Sequence, residues 1–108
     1  MKIGRDYQLI VTIIKKGFAQ RVVNAAKRAG ARGGTILHGR GVGIHDQKKL
    51  LGIPILTLIH KDKTNTVLKA VVEAGNLQKP GTGIGFVIDV DKVVGIVSLL
   101  EEFGEDLD

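Results

Sequence analysis

Glycine and lysine residues around position 80 form the segment of this sequence best suited to chemistry. Lys79 precedes the turn 81-GTGIG-85, which runs directly into the apolar segment 86-FVIDV-90. Glycine adopts positive φ and leaves backbone N–H groups open to a ligand, so a glycine turn beside a cation suits a phosphate. The turn matches neither the P-loop pattern nor the dinucleotide fingerprint, which needs a third, correctly spaced glycine. A tight corner of a small sheet is the alternative interpretation.

A second glycine cluster lies near position 40. Gly39, Gly41 and Gly43 alternate with other residues, and Arg40 supplies a cation among them. Glycine accounts for 15 of the 108 residues, roughly twice its usual share in proteins. Both clusters therefore have the composition of a phosphate site.

Catalytic and metal-binding chemistry has less support. The chain contains no cysteine, which excludes disulfides, thiolate metal ligands and cysteine nucleophiles. His60 and Asp62 lie two residues apart, but no third residue completes a catalytic group, so the protein is not predicted to be an enzyme. Hydrolysis of a nucleotide at the glycine turn is the enzymatic alternative. His38 and His45 are poor metal ligands without a carboxylate pair or a cysteine nearby, so no metal is predicted.

Charge is distributed unevenly along the chain. The net charge is +5, yet all sixteen Lys and Arg residues fall within residues 1–100, which hold only six of the eleven acidic residues. The other five are in the tail, 101-EEFGEDLD-108, which is either loose, folded back or in contact with a neighbouring subunit. A basic body attracts nucleotides, nucleic acid or an acidic membrane. None of the four aromatic residues lies in a basic patch, so nucleic acid is not a predicted partner.

Hydrophobic periodicity predicts four strands and two helices. Gly30 and Gly75 are placed to end the two helices, and Thr64 or Asn65 to cap the second one. Residues 44–52 are either one helical turn or a surface loop. The predicted strands are 8–14, 35–38, 53–61 and 85–100, the last with a break near Asp91 and Lys92, and the predicted helices are 18–29 and 66–75.

The order β-α-β-β-α-β predicts an α+β, ferredoxin-like fold, in which an antiparallel four-stranded sheet carries both helices on one face. The strands are nearly continuous in Val and Ile, so the face without helices would be apolar and uncovered. No spare segment is available to cover that face, which predicts a homo-oligomer. Residues 1–108 are expected to form one domain, with the acidic tail at about 101–108.

From about Tyr7 to Val97 the chain resembles the PII family of trimeric nitrogen regulatory and signalling proteins. The segment IIKKGFAQRVVNAA is similar to that family's first strand and helix, and GGTILHGRGVG is similar to the segment that leads into its T-loop. The most specific match is GNLQKPGTGIGFVIDVDKVVGI, which resembles the family's B-loop and fourth strand. The shared features are the G-x-G spacing, the aromatic residue three positions later and the Asp-Val pair.

The resemblance implies a PII-like regulator: a homotrimer that binds AMP, ADP or ATP, or a related anion, in the clefts between subunits. Such proteins report metabolic state to a transporter or an enzyme through the T-loop. The resemblance implies that backbone amides of Gly81, Thr82 and Gly83 meet the phosphates, with Lys79 at a basic B-loop position. Thr35 matches a strand-two threonine near the site, and Arg40, Gly41 and Gly43 match the T-loop root. Trimeric CutA-like proteins linked to metal tolerance are the alternative with this fold.

Several functional positions of the family are changed in this chain. The phosphate-binding lysine after the turn is Ile84, the two arginines of the fourth strand are Gly95 and Val97, and the T-loop glutamine falls near His45 in a much shorter loop. Each lost charge-assisted contact costs about 1.5–3 kcal/mol, so the chain is expected to be a divergent member. The candidates to replace the missing cations are Lys15, Lys16, Arg40 and Lys79.

The loop at 44–52 is the predicted contact with a protein target. It combines charge and apolar side chains in Lys48, Lys49, Leu50 and Leu51. The alternative is that Leu50 and Leu51 pack against the start of the third strand. The apolar segment near the start of the sequence is too short and interrupted for a signal peptide or a membrane helix, so a cytoplasmic protein that is not embedded in the membrane is expected.

Overall fold

The structure, a computed structural model, describes residues 2–32, 35–36, 52–95 and 105–106. The predicted order of strands and helices is confirmed, with one short strand added near each end of the chain. A single turn of 3-10 helix, Lys16–Phe18, leads into the first α-helix. The elements in chain order are β1 Lys2–Ile3, β2 Tyr7–Ile14, α1 Ala19–Arg28, β3 Thr35–Ile36, β4 Ile53–His60, α2 Lys61–Gly75, β5 Gly83–Val90 and β6 Glu105–Asp106.

The main sheet has four antiparallel strands in the order β3-β4-β2-β5. The strand β2 is hydrogen-bonded on both sides, so that Ile10 lies opposite Thr57 of β4 and Val87 of β5. Directly paired residues of an antiparallel sheet share one face, which assigns these three side chains to the same side. The continuous apolar run in β2 therefore belongs to a central strand, as its sequence predicted.

Both helices pack on this side of the sheet, which confirms the predicted ferredoxin-like architecture. Helix α1 buries its small and β-branched residues, while its polar residues remain exposed. Because Ala side chains are short, α1 can lie close to the sheet and to α2. The core consists of Ile10 and Ile14 of β2, Ala19, Val22, Val23 and Ala26 of α1, Ala31, Ile55 and Ile59 of β4, and Val67 and Val71 of α2.

The opposite face of the sheet is apolar, and among the described residues it is most exposed along β5. Along β5, Ile84, Phe86 and Ile88 alternate toward this face and are 56, 41 and 46% exposed. The register places Val11 of β2 beside Phe86, but Val11 is buried, so the exposed apolar surface is concentrated on the edge strand β5. A contiguous apolar surface on a folded domain usually marks an interaction site. The predicted exposure of the apolar face is thus seen along β5, whereas Val11 and Tyr7 of the central strand are buried.

One end of the open face is covered by a small second cluster. Val93 packs there against Tyr7, which is fully buried, and Gly4 and Val93 exchange two backbone hydrogen bonds of 2.7 and 2.9 Å. Nearby, β1 pairs with β6, and the ammonium of Lys2 lies 3.2 Å from a carboxylate oxygen of Asp106. The described residues of the acidic tail therefore fold back onto the strand near the start of the chain.

Strand β5 ends at Val90, where the sequence pattern predicted a break. Asp91 and Lys92 follow, and their side chains form an ion pair with an N–O distance of 2.5 Å. This contact with the Lys92 ammonium lowers the pKa of the Asp91 carboxyl. The predicted continuation of the strand over 96–100 lies outside the described residues.

Helix α2 begins at Lys61, so the predicted cap at Thr64 or Asn65 is wrong. The N-cap is His60, whose ring nitrogen Nδ1 accepts a hydrogen bond of 3.2 Å from the backbone N–H of Asp62. Thr64 is already inside the first turn, where its hydroxyl donates to the carbonyl of His60 at 3.3 Å. Asp62 also interacts favourably with the helix dipole in this turn. The helix can therefore start directly after β4.

The other end of α2 also differs from the prediction. Asn76, and not Gly75, adopts the left-handed conformation that ends the helix, with φ 55° and ψ 40°. Gly75 is the last helical residue, and a Cβ atom there would lie 2.5 Å from Cδ1 of Ile14. A side chain at this position would require Ile14 to change its rotamer, which shows how closely the end of the helix approaches the sheet.

We expect His60→Ala to lower the free energy of unfolding by about 1–2 kcal/mol. The variant loses the cap, worth about 1 kcal/mol, and the edge-to-face contact with Tyr7, whose ring centroid lies 5.3 Å away. His60→Asn keeps a cap acceptor and should recover part of this loss. Urea titrations followed by circular dichroism at one protein concentration measure both variants. Equal stability of the Ala and Asn variants would contradict the capping role.

Candidate functional site

The candidate site is the turn that connects α2 to β5, residues 76–83. Its first part reverses the chain at Asn76, whose N–H donates to the carbonyl of Glu73, while the N–H of Leu77 donates to Val72. Asparagine tolerates the left-handed conformation better than most residues with a side chain. The turn therefore leaves α2 in a fixed direction and enters the edge of the sheet.

Thr82 closes this turn from inside. Its hydroxyl lies 2.8 Å from the carbonyl oxygen of Asn76 and 2.9 Å from that of Lys79, so that its proton is shared between two acceptors. The carbonyl of Asn76 also accepts the N–H of Lys79 at 3.0 Å. Thr82 is buried, at 8% exposure. Its hydroxyl stabilises the turn, a role that the sequence pattern did not reveal.

Gly83 attaches the turn to the central strand. A Cβ atom at this position would lie 2.3 Å from the carbonyl oxygen of Ile13 and 3.1 Å from Cα of Ile14. Both contacts are with backbone, which cannot move aside without disturbing β2. Close packing is therefore enough to explain glycine at position 83, with or without a ligand.

The outer edge of the turn has different properties. Gly81 has φ +83°, and no atom lies within 4 Å of the place where its Cβ would be. Within the described residues, the backbone N–H groups of Gly81 and Thr82 have no backbone hydrogen-bond partner. The side chain of Lys79 is exposed beside them. Two backbone donors and one ammonium group on an open turn can bind a small anion.

Thr35, another predicted site residue, lies far from this turn within one chain. It begins β3 at one edge of the sheet, opposite Leu56 of β4, whereas Gly83 begins β5 at the other edge. Three inter-strand spacings separate these edges, which is about 14 Å. A small ligand that contacts both Thr35 and the turn must therefore bridge two chains.

The structure describes only some of the other predicted positions. Ile84, which stands at the family's lysine position, contributes its side chain to the open apolar face. Gly95 has a positive φ of 96° with open space around it. The predicted residues Arg40, Gly41, Gly43, Lys48, Lys49, Leu50 and Leu51 lie outside the described residues.

The residues considered for catalysis have a structural role in the described part of the chain. Nδ1 of His60 caps α2 and also lies 3.5 Å from a carboxylate oxygen of Asp62. The described residues contain no group of three or more His, Asp or Glu side chains suited to a metal ion. The predicted alternative at His38 and His45 falls outside the described residues.

Comparison with known proteins identifies the family to which this chain is similar. The family model "Nitrogen regulatory protein P-II" matches residues 7–98. Among solved structures, a similar one is Arabidopsis thaliana PII bound to citrate, with a TM-score of 0.69, 23% sequence identity, and coverage of 87% of this chain and 86% of that chain. No curated protein matches the sequence.

The chain belongs to the P-II nitrogen regulatory protein family, because the family model covers most of its length. This confirms the resemblance seen in the sequence, and the solved structure confirms the fold. Members of this family are regulatory proteins. Neither helix in the described residues is long and apolar enough to cross a membrane.

We expect Thr82→Val to destabilise the protein by about 1–3 kcal/mol, because two carbonyls lose their shared donor inside a buried turn. Thr82→Ser keeps the hydroxyl and should lose less. Hydrogen exchange of the amides in residues 76–83 should increase in the Val variant. Unchanged exchange in that variant would show that the hydroxyl does not hold the turn.

Proposed function

We propose that this protein is a homotrimeric PII-like regulator that binds an adenine nucleotide, or a related anion, between subunits. The turn at 79–83 of one subunit provides Lys79 and the amides of Gly81 and Thr82. The neighbouring subunit provides Thr35 and the glycine cluster with Arg40, Gly41 and Gly43. The positions of Thr35 and the turn at opposite edges of the sheet carry this proposal.

The open sheet face supports the assembly. Ile84, Phe86 and Ile88 alternate with residues on the helix-covered side, so β5 presents a row of large apolar side chains. Burying apolar surface contributes about 25 cal/mol per Å², so covering this row with a neighbouring copy would stabilise an assembly. A neighbour placed on this face also lies next to the turn, because the turn leads directly into β5.

The chemistry of the turn supports a phosphate or carboxylate ligand. Lys79 and two backbone donors carry positive charge or partial positive charge, and the body of the chain is strongly basic. Ile84, Gly95 and Val97 stand at three positions where the family places cations near the phosphates, so the balance of contacts differs from that of typical members. The related Arabidopsis protein was solved with citrate, so a carboxylate anion belongs among the candidates.

The regulatory output is proposed to act on a protein target, a transporter or an enzyme, without catalysis by this protein. Family membership supports a regulatory role in the cytoplasm. The loop containing Lys48, Lys49, Leu50 and Leu51 is proposed to make this contact, because it combines charge with apolar side chains.

Light scattering tests the assembly. The wild type should have three times the chain mass of 11.6 kDa. Phe86→Glu places a charge in the middle of the open face and should produce folded monomers. Asn24→Glu adds the same charge on the helix side, where Asn24 is exposed, and should remain trimeric. A wild-type protein with the mass of one chain would contradict the proposed homotrimer.

Calorimetry tests the ligand. AMP, ADP, ATP, cyclic AMP and citrate are titrated into the wild type, Lys79→Gln and Lys69→Gln. We expect Lys79→Gln to weaken binding by about 10-fold or more, because a charge-assisted contact worth ~1.5–3 kcal/mol is lost. Lys69 is exposed on α2, and its replacement should have little effect.

Two results would contradict the ligand proposal. Absence of heat with every ligand would contradict the proposed anion site. The assignment of the family and the fold would still hold. Equal affinity of the Lys79→Gln variant and the wild type would show that the ligand binds elsewhere. Gly83→Val is unsuitable for this test, since a side chain at Gly83 collides with the backbone of β2.

A further inference from the structure

Helix α1 and the residues that flank it form a surface without acidic residues. Residues 15–32 contain six basic residues and no Asp or Glu. Lys15, Lys16, Arg21, Lys27 and Arg28 are exposed, and we refer to these five as the α1 basic surface. It lies on the helix side of the sheet, away from the open apolar face, and is therefore separate from the proposed trimer contact.

Helix α2, which packs beside α1, is not charged in the same way. Its three lysines, Lys61, Lys63 and Lys69, are offset in part by Asp62 and Glu73. Glu73 and Arg28 line the same groove between the two helices, so the field of Arg28 is partly balanced. The remaining four residues of the α1 basic surface give it a stronger positive potential than that of α2, where two acidic residues offset two of the three lysines.

The geometry argues against a membrane as the partner of this surface. A helix that lies in a bilayer interface needs a free apolar side. The apolar side of α1 is occupied, because Val22, Val23 and Ala26 are buried in the core. A double helix fits poorly too, since α1 lies beside α2 in one layer and does not project into a major groove.

Arg21 provides a second kind of contact on this surface. Its guanidinium lies over the ring of Phe18, 5.2 Å from the ring centroid. Phe18 is partly buried and packs against the core, so the ring supports the guanidinium from below. Next to it, the side-chain amide of Gln20 donates to Asn24 at 3.1 Å. Unpaired bases stack on planar guanidinium groups of this kind.

We propose that the α1 basic surface binds single-stranded nucleic acid. Lys15, Lys16 and Lys27 contact phosphates, and an unpaired base stacks on the outer side of Arg21. No aromatic residue could be assigned to a basic patch from the sequence. The fold, however, places Phe18 beneath Arg21 and so creates one position on which a base can stack. This inference goes beyond the proposed regulator and does not depend on its nucleotide site.

Fluorescence anisotropy with labelled oligouridylate and oligothymidylate, over a salt series, tests the proposal. Affinity should fall with salt, with a slope near −0.7 for each phosphate contact. Arg21→Gln combined with Lys27→Gln should weaken binding by about 10-fold and reduce the size of the slope by about 0.7, because only Lys27 of the two contacts a phosphate. Lys61→Gln combined with Lys69→Gln removes the same charge from α2 and should change affinity less than about twofold.

Phe18→Leu separates stacking from charge. It keeps every cation but removes the ring beneath Arg21, so affinity should fall several-fold while the salt slope stays the same. Light scattering and circular dichroism check that each variant keeps the assembly and fold of the wild type. Lys79→Gln should not affect oligonucleotide binding, since Lys79 belongs to the turn site.

Four outcomes would overturn the proposal. The first is no change of anisotropy at low salt, and the second is an equal loss of affinity in the α1 and α2 double variants. The third is loss of oligonucleotide binding in Lys79→Gln. The fourth is competition by inorganic polyphosphate as strong as that by oligouridylate. Binding to phosphatidylserine vesicles without binding to oligonucleotides would likewise overturn it, since the partner would then be a membrane.

Discussion

The central strand β2 is the constraint on which the rest of the structure depends. It is hydrogen-bonded to β4 and β5 along its whole length, and it is apolar toward both faces of the sheet. Ile10 and Ile14 face the helices, while Val11 and Ile13 face the other way. A strand of this kind needs cover on both sides. The helices provide one cover, and the cluster of Tyr7 and Val93 covers one end of the other side.

The same strand determines the candidate site. The backbone of Ile13 approaches Gly83 so closely that no side chain fits between them, which fixes the point where the turn meets the sheet. Thr82 then closes the turn through the carbonyls of Asn76 and Lys79. The tight-corner and anion-site interpretations of the glycine turn are therefore compatible. Gly83 serves the corner, and Gly81 leaves the outer edge open.

The sequence predicted the strands and helices in which apolar residues recur at a regular spacing. Strands β2 and β4 and helix α1 have enough residues for their periodicity to be evident, and the core residues Val22 and Ala26 follow from it. Features that depend on one contact were missed. His60 was not predicted as a cap because Thr64, a stronger capping type, stands nearby in the sequence, and β1 and β6 are too short to show a period.

The site was predictable in its chemistry and less so in its geometry. The combination of Lys79 with glycines indicated an anion-binding turn. The hydroxyl contacts of Thr82 and the placement of Phe18 under Arg21 could not be read from spacing, because each joins residues through the folded backbone. The opposite positions of Thr35 and the turn depend on strand order, which the fold prediction implied.

The Thr82 hydroxyl has a further consequence for how a regulator of this kind would transmit a signal. Since Asn76, Lys79 and Thr82 hold the turn in shape through hydrogen bonds with one another, this half of the site is preorganised and would lose little conformational entropy on binding. A rigid half-site responds in the same way to each ligand that it accepts. In the proposed assembly, discrimination between ligands, and any change of shape that reports which one is bound, would then originate in the residues that a neighbouring copy contributes.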